Sequence, residues 1–184
     1  MPSIFREFSY VTHYLSQLPK YYDLSESLKR SRSSTYSTRI PSRVDRLILH
    51  HTATDNMSVH DIAHMHVRDN GWPGIAYHIV IGPGGEILLT NRLHLQSYHC
   101  KDNNFRSIGI AINHDCDKSA PSQKALAALR DVLIVFAYHF HHLDIFGHSD
   151  LGNTLCPGRF YPLADMKSFY NHVRTELSLI NPSN

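Results

Sequence analysis

The chain has 184 residues, of which 42 % are hydrophobic and 18 % are charged, and its net charge is +2. This length allows one domain with a hydrophobic core plus an appendage, and the composition is ordinary for a globular protein. So mild a positive charge gives no reason to expect nucleic acid as a partner. The longest apolar run, residues 132–138, is far shorter than the ~18 residues of a membrane-spanning helix, so no integral membrane segment is expected.

The cysteines and the N-terminus indicate the compartment in which the protein is made. Three cysteines are a low, odd number, which argues against a disulfide framework and suits a reducing environment. The first residues lack the unbroken apolar segment of a secretory signal, because Arg6, Glu7 and His13 interrupt it. We therefore expect synthesis in the cytoplasm without a signal peptide.

Charge divides the chain near residue 43. Residues 1–43 carry seven Lys+Arg and three Asp+Glu, whereas the remainder carries eleven and thirteen. Residues 29–43 are basic, serine-rich and almost free of aliphatic side chains, which predicts a linker or an extended arm, while residues 5–28 predict one or two short helices. The prediction is thus an N-terminal basic extension and linker over residues 1–43 and a main domain over residues 44–184. The extension either packs on the domain or forms a separate targeting element, and its deletion is expected to spare the chemistry.

The first elements of the main domain have clear boundaries. Residues 46–51, RLILHH, predict a short buried strand. Ser58 has the character of an N-cap, and Asp61, three residues later, is a suitable capping-box partner. The helix that follows is expected to end at Gly71.

The rest of the chain alternates strands and helices. Residues 76–81 and 86–90 predict two strands joined by the turn Gly-Pro-Gly-Gly. Further strands are predicted at 107–113 and 144–146, and further helices at 122–141 and 163–177. The expected fold class is α/β, a single domain with a mixed central β-sheet flanked by helices.

Two segments carry candidate metal ligands. In residues 147–158, GHSDLGNTLCPG, His148 leaves a strand end, and Cys156 follows eight residues later, before Pro-Gly. Imidazole and thiolate are ligands that suit zinc. His50 and His51 end another strand, and neighbouring strand residues point to opposite faces. Only one of the two can therefore join His148 and Cys156 in the same way, and spacing alone does not choose between them.

Four blocks of sequence together resemble the zinc amidase family of phage lysozymes and peptidoglycan recognition proteins. In chain order they are LILHHTATD, HVRDNGWPGIAYHIVIGPGGEI, FRSIGIAIN and GHSDLGNTLCPG, within residues 44–170. The resemblance implies an amidase-like fold and cleavage of the amide between N-acetylmuramic acid and L-alanine in bacterial peptidoglycan. It also implies one Zn²⁺ ion as cofactor, with His50, His148 and Cys156 as ligands and with His51 on the opposite face.

The resemblance further implies four residues in the cleft. Tyr77 matches the catalytic tyrosine, and Thr154 stands where active recognition proteins carry threonine and short phage amidases carry lysine. A tyrosine hydroxyl can donate a hydrogen bond to the developing oxyanion, and a threonine hydroxyl can orient water or the carbonyl oxygen. His99 matches a histidine that lines the family's cleft, and Asn104 matches a residue expected to contact substrate. Tyr77 and His99 are both candidates for protonating the leaving amine.

Three biological roles are compatible with this resemblance. The first is a phage-type lytic N-acetylmuramoyl-L-alanine amidase, an endolysin that acts on the bacterial cell wall after release. The alternatives are a cytoplasmic wall-recycling amidase and a peptidoglycan-binding module without activity. The recycling branch usually has aspartate as the third ligand, and the non-cutting members lack the cysteine. Because this chain has Cys156, the resemblance favours the lytic enzyme.

Overall fold

A computed structural model describes residues 6–55 and 57–180, which form helices on both faces of one mixed six-stranded sheet. The helices are α1 (Arg6–Leu15), α2 (Val59–Asn70), α3 (Gln123–His139) and α4 (Leu163–Ile180). The strands are β1 (Tyr21–Asp23), β2 (Arg46–His51), β3 (Ile79–Ile81), β4 (Ile87–Leu89), β5 (Ser107–Ile112) and β6 (Asp144–Gly147). Their order across the sheet is β1-β4-β3-β5-β2-β6, and only the β3–β4 pair is antiparallel. The predicted fold class is confirmed.

Strand β2 lies between β5 and β6 and separates two layers of core. Leu47 and Leu49 belong to the larger cluster, which also holds the buried side chains of α1, α3 and α4. The smaller cluster, on the other face, contains Ile62 of α2 and Ala111 of β5. Since side chains alternate along a strand, His50 faces the α2 side and His51 faces the larger core.

Helix ends follow the signals in the sequence. The Ser58 hydroxyl accepts a hydrogen bond from the Asp61 backbone N–H at 3.2 Å, and α2 ends at Gly71, as predicted. In the same way, Ser122 caps α3 by accepting the Ala125 N–H at 3.0 Å. Among the helices formed by residues 6–55 and 57–180, none has the length and apolar character needed to cross a membrane.

The N-terminal region is part of the domain. Helix α1 packs on α3 and buries Phe8, Val11 and Leu15 in the larger core. Strand β1, which was not predicted, pairs in parallel with β4 at the sheet edge. The predicted boundary at residue 43 therefore corresponds to no break in the structure, because apolar side chains on both sides of it share one core.

Residues 29–43 are held against the domain by polar contacts and do not behave as a free linker. The Tyr36 hydroxyl donates to the Ile75 carbonyl, and Arg30 donates to the Asn91 side-chain oxygen. Arg39 is only 6 % exposed. Deleting residues 1–40 would remove core side chains as well as Arg39, so we now expect that deletion to unfold the domain instead of sparing its chemistry.

A single substitution tests this integration. We predict that Leu15→Ala lowers the free energy of unfolding by about 2–5 kcal/mol, because it opens a cavity in the core. His13→Ala, on the exposed side of the same helix, should change it by less than about 0.5 kcal/mol. Urea denaturation followed by circular dichroism measures both. Equal, small losses would show that α1 is a loosely attached appendage.

Candidate metal centre

The parallel register of β2 and β6 brings two histidines together. Leu49 lies opposite Gly147, so the next residues, His50 and His148, leave the sheet side by side. Their ring centroids are 4.7 Å apart. Carboxyl ends of parallel strands meet at one edge of a sheet, which is where ligand sites of such sheets are usually built.

Cys156 reaches the same point through the loop after β6. The Ser149 N–H donates to the Cys156 carbonyl oxygen at 2.8 Å, which ties the cysteine to the turn that begins at His148. The turn after Cys156 requires glycine, because Gly158 has φ +97° and a Cβ there would lie 2.7 Å from the Cys116 carbonyl carbon. Gly158 thus helps to fix the turn that presents the sulfur.

The three predicted ligands form one cluster. The Cys156 Sγ lies 3.5 Å from His50 Nδ1, and one ligand atom from each of His50, His148 and Cys156 lies within 4.8 Å of the others. Two imidazoles and one sulfur are a donor set that suits zinc, and three protein ligands leave a fourth position for water or substrate. The residues therefore fit the metal that the sequence predicted.

Burial controls the protonation of this cluster. It holds the pKa of His50 well below its usual value, with smaller contributions from His99 and His148, and it also lowers the pKa of His148. Burial raises the pKa of the Cys156 thiol to about 12. Both imidazoles are thus neutral and able to ligate, whereas the thiolate needs a nearby cation.

His51 lies on the opposite face, as expected from the strand alternation. Its Nδ1 accepts the Cys116 N–H at 3.1 Å, so the proton of a neutral ring is on Nε2. His51, Asp115 and Asp117 form a second group of ligand-type side chains. However, Asp115 pairs with Lys118 at 2.8 Å and also accepts the Asp117 N–H. These contacts tie the group into the loop that carries Cys116.

Tyr77 and Thr154 lie beside the cluster and line a cleft of about 320 Å³. Tyr77 precedes β3 instead of lying within a strand as predicted, and its ring centroid is 5.4 Å from that of His50. Its hydroxyl donates weakly to the His51 carbonyl at 3.5 Å, and burial raises its pKa, so it is protonated at neutral pH. The Thr154 hydroxyl accepts the Cys156 N–H at 3.2 Å.

Of the two residues predicted to contact substrate, His99 lines the cleft and Asn104 does not. His99 is 5 % exposed at the base of the cleft, where its Nδ1 lies 2.9 Å from His50 Nε2. Asn104 is not among the residues that line the cleft, and its side-chain oxygen accepts the Cys100 N–H at 2.7 Å. The position of Asn104 therefore indicates a role in loop conformation.

Two aromatic residues form part of the cleft wall. Trp72 lines the cleft together with Tyr98, and their ring centroids are 6.3 Å apart. No sequence pattern indicates that Tyr98 lines the cleft, apart from its position next to His99. A larger cavity of about 640 Å³, beside α1 and residues 92–94, contains none of the predicted ligands.

Known proteins share this fold and sequence pattern. The pattern of the N-acetylmuramoyl-L-alanine amidase family matches residues 40–159. Peptidoglycan-recognition protein SC2 of Drosophila simulans is 27 % identical over an alignment of 168 residues that covers 83 % of this chain and 84 % of that protein. An N-acetylmuramoyl-L-alanine amidase of Sus scrofa is 30 % identical over an alignment of 126 residues that covers 61 % of this chain and 21 % of that protein.

A solved structure extends the likeness to the fold. The endolysin N-acetylmuramoyl-L-alanine amidase LysCS from Clostridium intestinale URNW has a TM-score of 0.70 at 24 % identity and covers 85 % of this chain and 98 % of its own. The fold is thus the one shared by peptidoglycan amidases and peptidoglycan recognition proteins. The chain belongs to the N-acetylmuramoyl-L-alanine amidase family, although it spans only about a fifth of the Sus scrofa relative.

Metal binding can be tested with the cysteine. We predict that the unsubstituted chain binds one zinc ion and that Cys156→Ser loses most of it, because a hydroxyl is a poor replacement for a thiolate ligand. Cys100→Ala is the control, since Cys100 is another free cysteine and lies outside the cluster. Equilibrium dialysis with elemental analysis measures the zinc content. Undiminished zinc in the Cys156→Ser protein would remove the sulfur from the site.

Proposed function

We propose that this protein is a zinc-dependent N-acetylmuramoyl-L-alanine amidase that hydrolyses the amide between N-acetylmuramic acid and L-alanine in peptidoglycan. The observation that carries the proposal is the convergence of His50, His148 and Cys156 within 4.8 Å at the base of an open cleft. The role is that of a phage-type lytic enzyme, made in the cytoplasm and acting on the wall after release. Cys156 supports this setting over a wall-recycling enzyme, which usually has aspartate there.

The residues around the cluster have complementary tasks. Zinc, when bound, supplies the Lewis acid with which metallohydrolases activate water and polarise an amide carbonyl. The Tyr77 phenol, kept protonated by burial, donates a hydrogen bond to the oxygen that becomes negative in the transition state. Thr154 is held beside Cys156 and orients the polar atoms of the scissile amide. Trp72 and Tyr98 give the cleft an apolar wall against which a muramyl peptide packs.

Of the two candidates for protonating the leaving amine, Tyr77 is the one whose hydroxyl can reach the substrate. The sequence offered Tyr77 and His99, but the two ring nitrogens of His99 lie within hydrogen-bond distance of His50 and Ser107. His99 is also almost fully buried beneath the ligand. The Tyr77 hydroxyl has only a weak contact at 3.5 Å and lines the cleft, so it is free to turn toward the substrate.

The second candidate function is peptidoglycan binding without cleavage. The likeness to peptidoglycan-recognition protein SC2 favours it as the main rival, because the name of that protein states recognition only. Both functions require the cleft, and only the amidase requires a reactive centre. The products formed from peptidoglycan therefore distinguish the two functions, whereas affinity for peptidoglycan does not.

Mass spectrometry of digested peptidoglycan separates these functions. Purified peptidoglycan is incubated with zinc-loaded protein and with protein stripped by a chelator. The proposal predicts free stem peptides with N-terminal L-alanine and glycan strands with intact muramic acid, formed only by the zinc-loaded protein. Sedimentation of the protein with peptidoglycan that stays uncut would establish a binding module.

Tyr77 gives a sharper test of the mechanism. We predict that Tyr77→Phe lowers kcat by about 100-fold, the usual cost of deleting one oxyanion donor, while the zinc content stays at one ion. Tyr98→Phe removes a hydroxyl from the wall of the same cleft and should change kcat less than about threefold. Steady-state hydrolysis of a soluble muramyl peptide measures both. An unchanged kcat for Tyr77→Phe would show that the hydroxyl has no catalytic role.

A further inference from the structure

His50 can ligate a metal only if the correct ring nitrogen carries a lone pair. A neutral imidazole has one N–H and one acceptor nitrogen, and the partner of one nitrogen decides the state of the other. His50 Nδ1 is the atom near Cys156 Sγ, at 3.5 Å, whereas Nε2 points into the protein. Whatever lies behind Nε2 therefore decides whether Nδ1 is available.

Three hydrogen bonds lie in series behind His50. Only one assignment of donors and acceptors satisfies all three. The Asn103 carbonyl can only accept, so the Ser107 hydroxyl donates to it, at 2.7 Å. The Ser107 oxygen then accepts from His99 Nε2–H at 3.1 Å. The remaining nitrogen, His99 Nδ1, must accept from His50 Nε2–H at 2.9 Å. The series leaves the lone pair of His50 on Nδ1, facing the sulfur.

The position of the His99 ring is fixed by close packing on β5. A Cβ at residue 109 would lie 2.5 Å from the His99 ring, so only glycine lets the ring approach the strand. Ser107 is fully buried, and its carbonyl oxygen accepts from the buried Arg39 guanidinium. Neither the ring nor the hydroxyl can turn without losing a buried hydrogen bond, which is costly.

We propose that His99 and Ser107 are positioning residues that hold His50 as the Nε2–H tautomer and so reserve Nδ1 for the metal. This role replaces the substrate contact that the sequence suggested for His99, and it rests on the proposed zinc-dependent function. Partners behind a ligating histidine typically change metal affinity by about 10–100-fold when they are removed. The polar ring of His99 is thus used to orient His50 rather than to bind substrate.

Two variants of His99 distinguish the effect of its hydrogen bond to His50 from the effect of its packing. His99→Asn keeps an acceptor oxygen where Nδ1 stands, whereas His99→Leu has similar volume and no acceptor. We expect zinc affinity, measured by competition with a chromogenic chelator, to stay within about threefold of the unsubstituted chain for Asn. For Leu we expect it to fall by about 10–100-fold. Thermal unfolding confirms that both variants are folded.

The tautomer itself is measured without metal. In the zinc-free chain, long-range ¹H–¹⁵N correlation spectra should show His50 protonated on Nε2, and Ser107→Ala should make the population mixed. A His50 ring protonated on Nδ1 in the unsubstituted chain would overturn the inference, as would equal zinc affinities for the Asn and Leu variants. Absence of zinc binding by the unsubstituted chain would instead overturn the proposed function, and the spectra would still decide the tautomer.

Discussion

The parallel register of β2 with its two neighbours is the constraint on which the site depends. Pairing of Leu49 with Gly147 sets His50 beside His148, and pairing of Ile48 with Gly109 leaves room for the His99 ring. A slip of one residue would turn His50 to the other face of the sheet and bring His51 in its place. That slip is unfavourable because it would move Leu47 and Leu49 out of the larger core and bring Arg46 and His50 into it.

Arg39 connects the N-terminal region to the chemistry. Its side chain is buried, forms no ion pair among those of the described residues, and donates to the backbone carbonyls of Leu93, Asn104 and Ser107. Burial lowers its pKa to about 9, so it is still charged at neutral pH. This fixed positive charge, after burial itself, helps to lower the pKa of His78 and His99. The segment first interpreted as a linker thus contributes a charge that, together with burial, lowers the pKa of the histidines behind the site.

The sequence was sufficient to predict those secondary-structure features that depend on residues close together in the chain. The apolar run of β2, the Ser58 cap and the Gly71 stop depend on neighbouring residues, and the structure agrees with them. Grouping His50 with His148 and Cys156 needed the family resemblance, because residues 98 positions apart give no local signal. Strand β1 was missed since three residues at a sheet edge take their conformation from β4. The bond between His99 and His50 was missed because it arises only from tertiary packing.

The environment of Cys156 bears on the choice between cutting and binding. A buried free cysteine usually behaves as a small apolar side chain. Here the sulfur instead lies 3.5 Å from an imidazole nitrogen and 3.9 Å from the His51 carbonyl, and burial penalises its ionised form. Such polar surroundings give a thiol little packing benefit, and a cation that displaces the thiol proton would remove the penalty. The surroundings of this sulfur are thus those expected of a metal ligand, which favours the proposed zinc hydrolase over a module that only binds peptidoglycan.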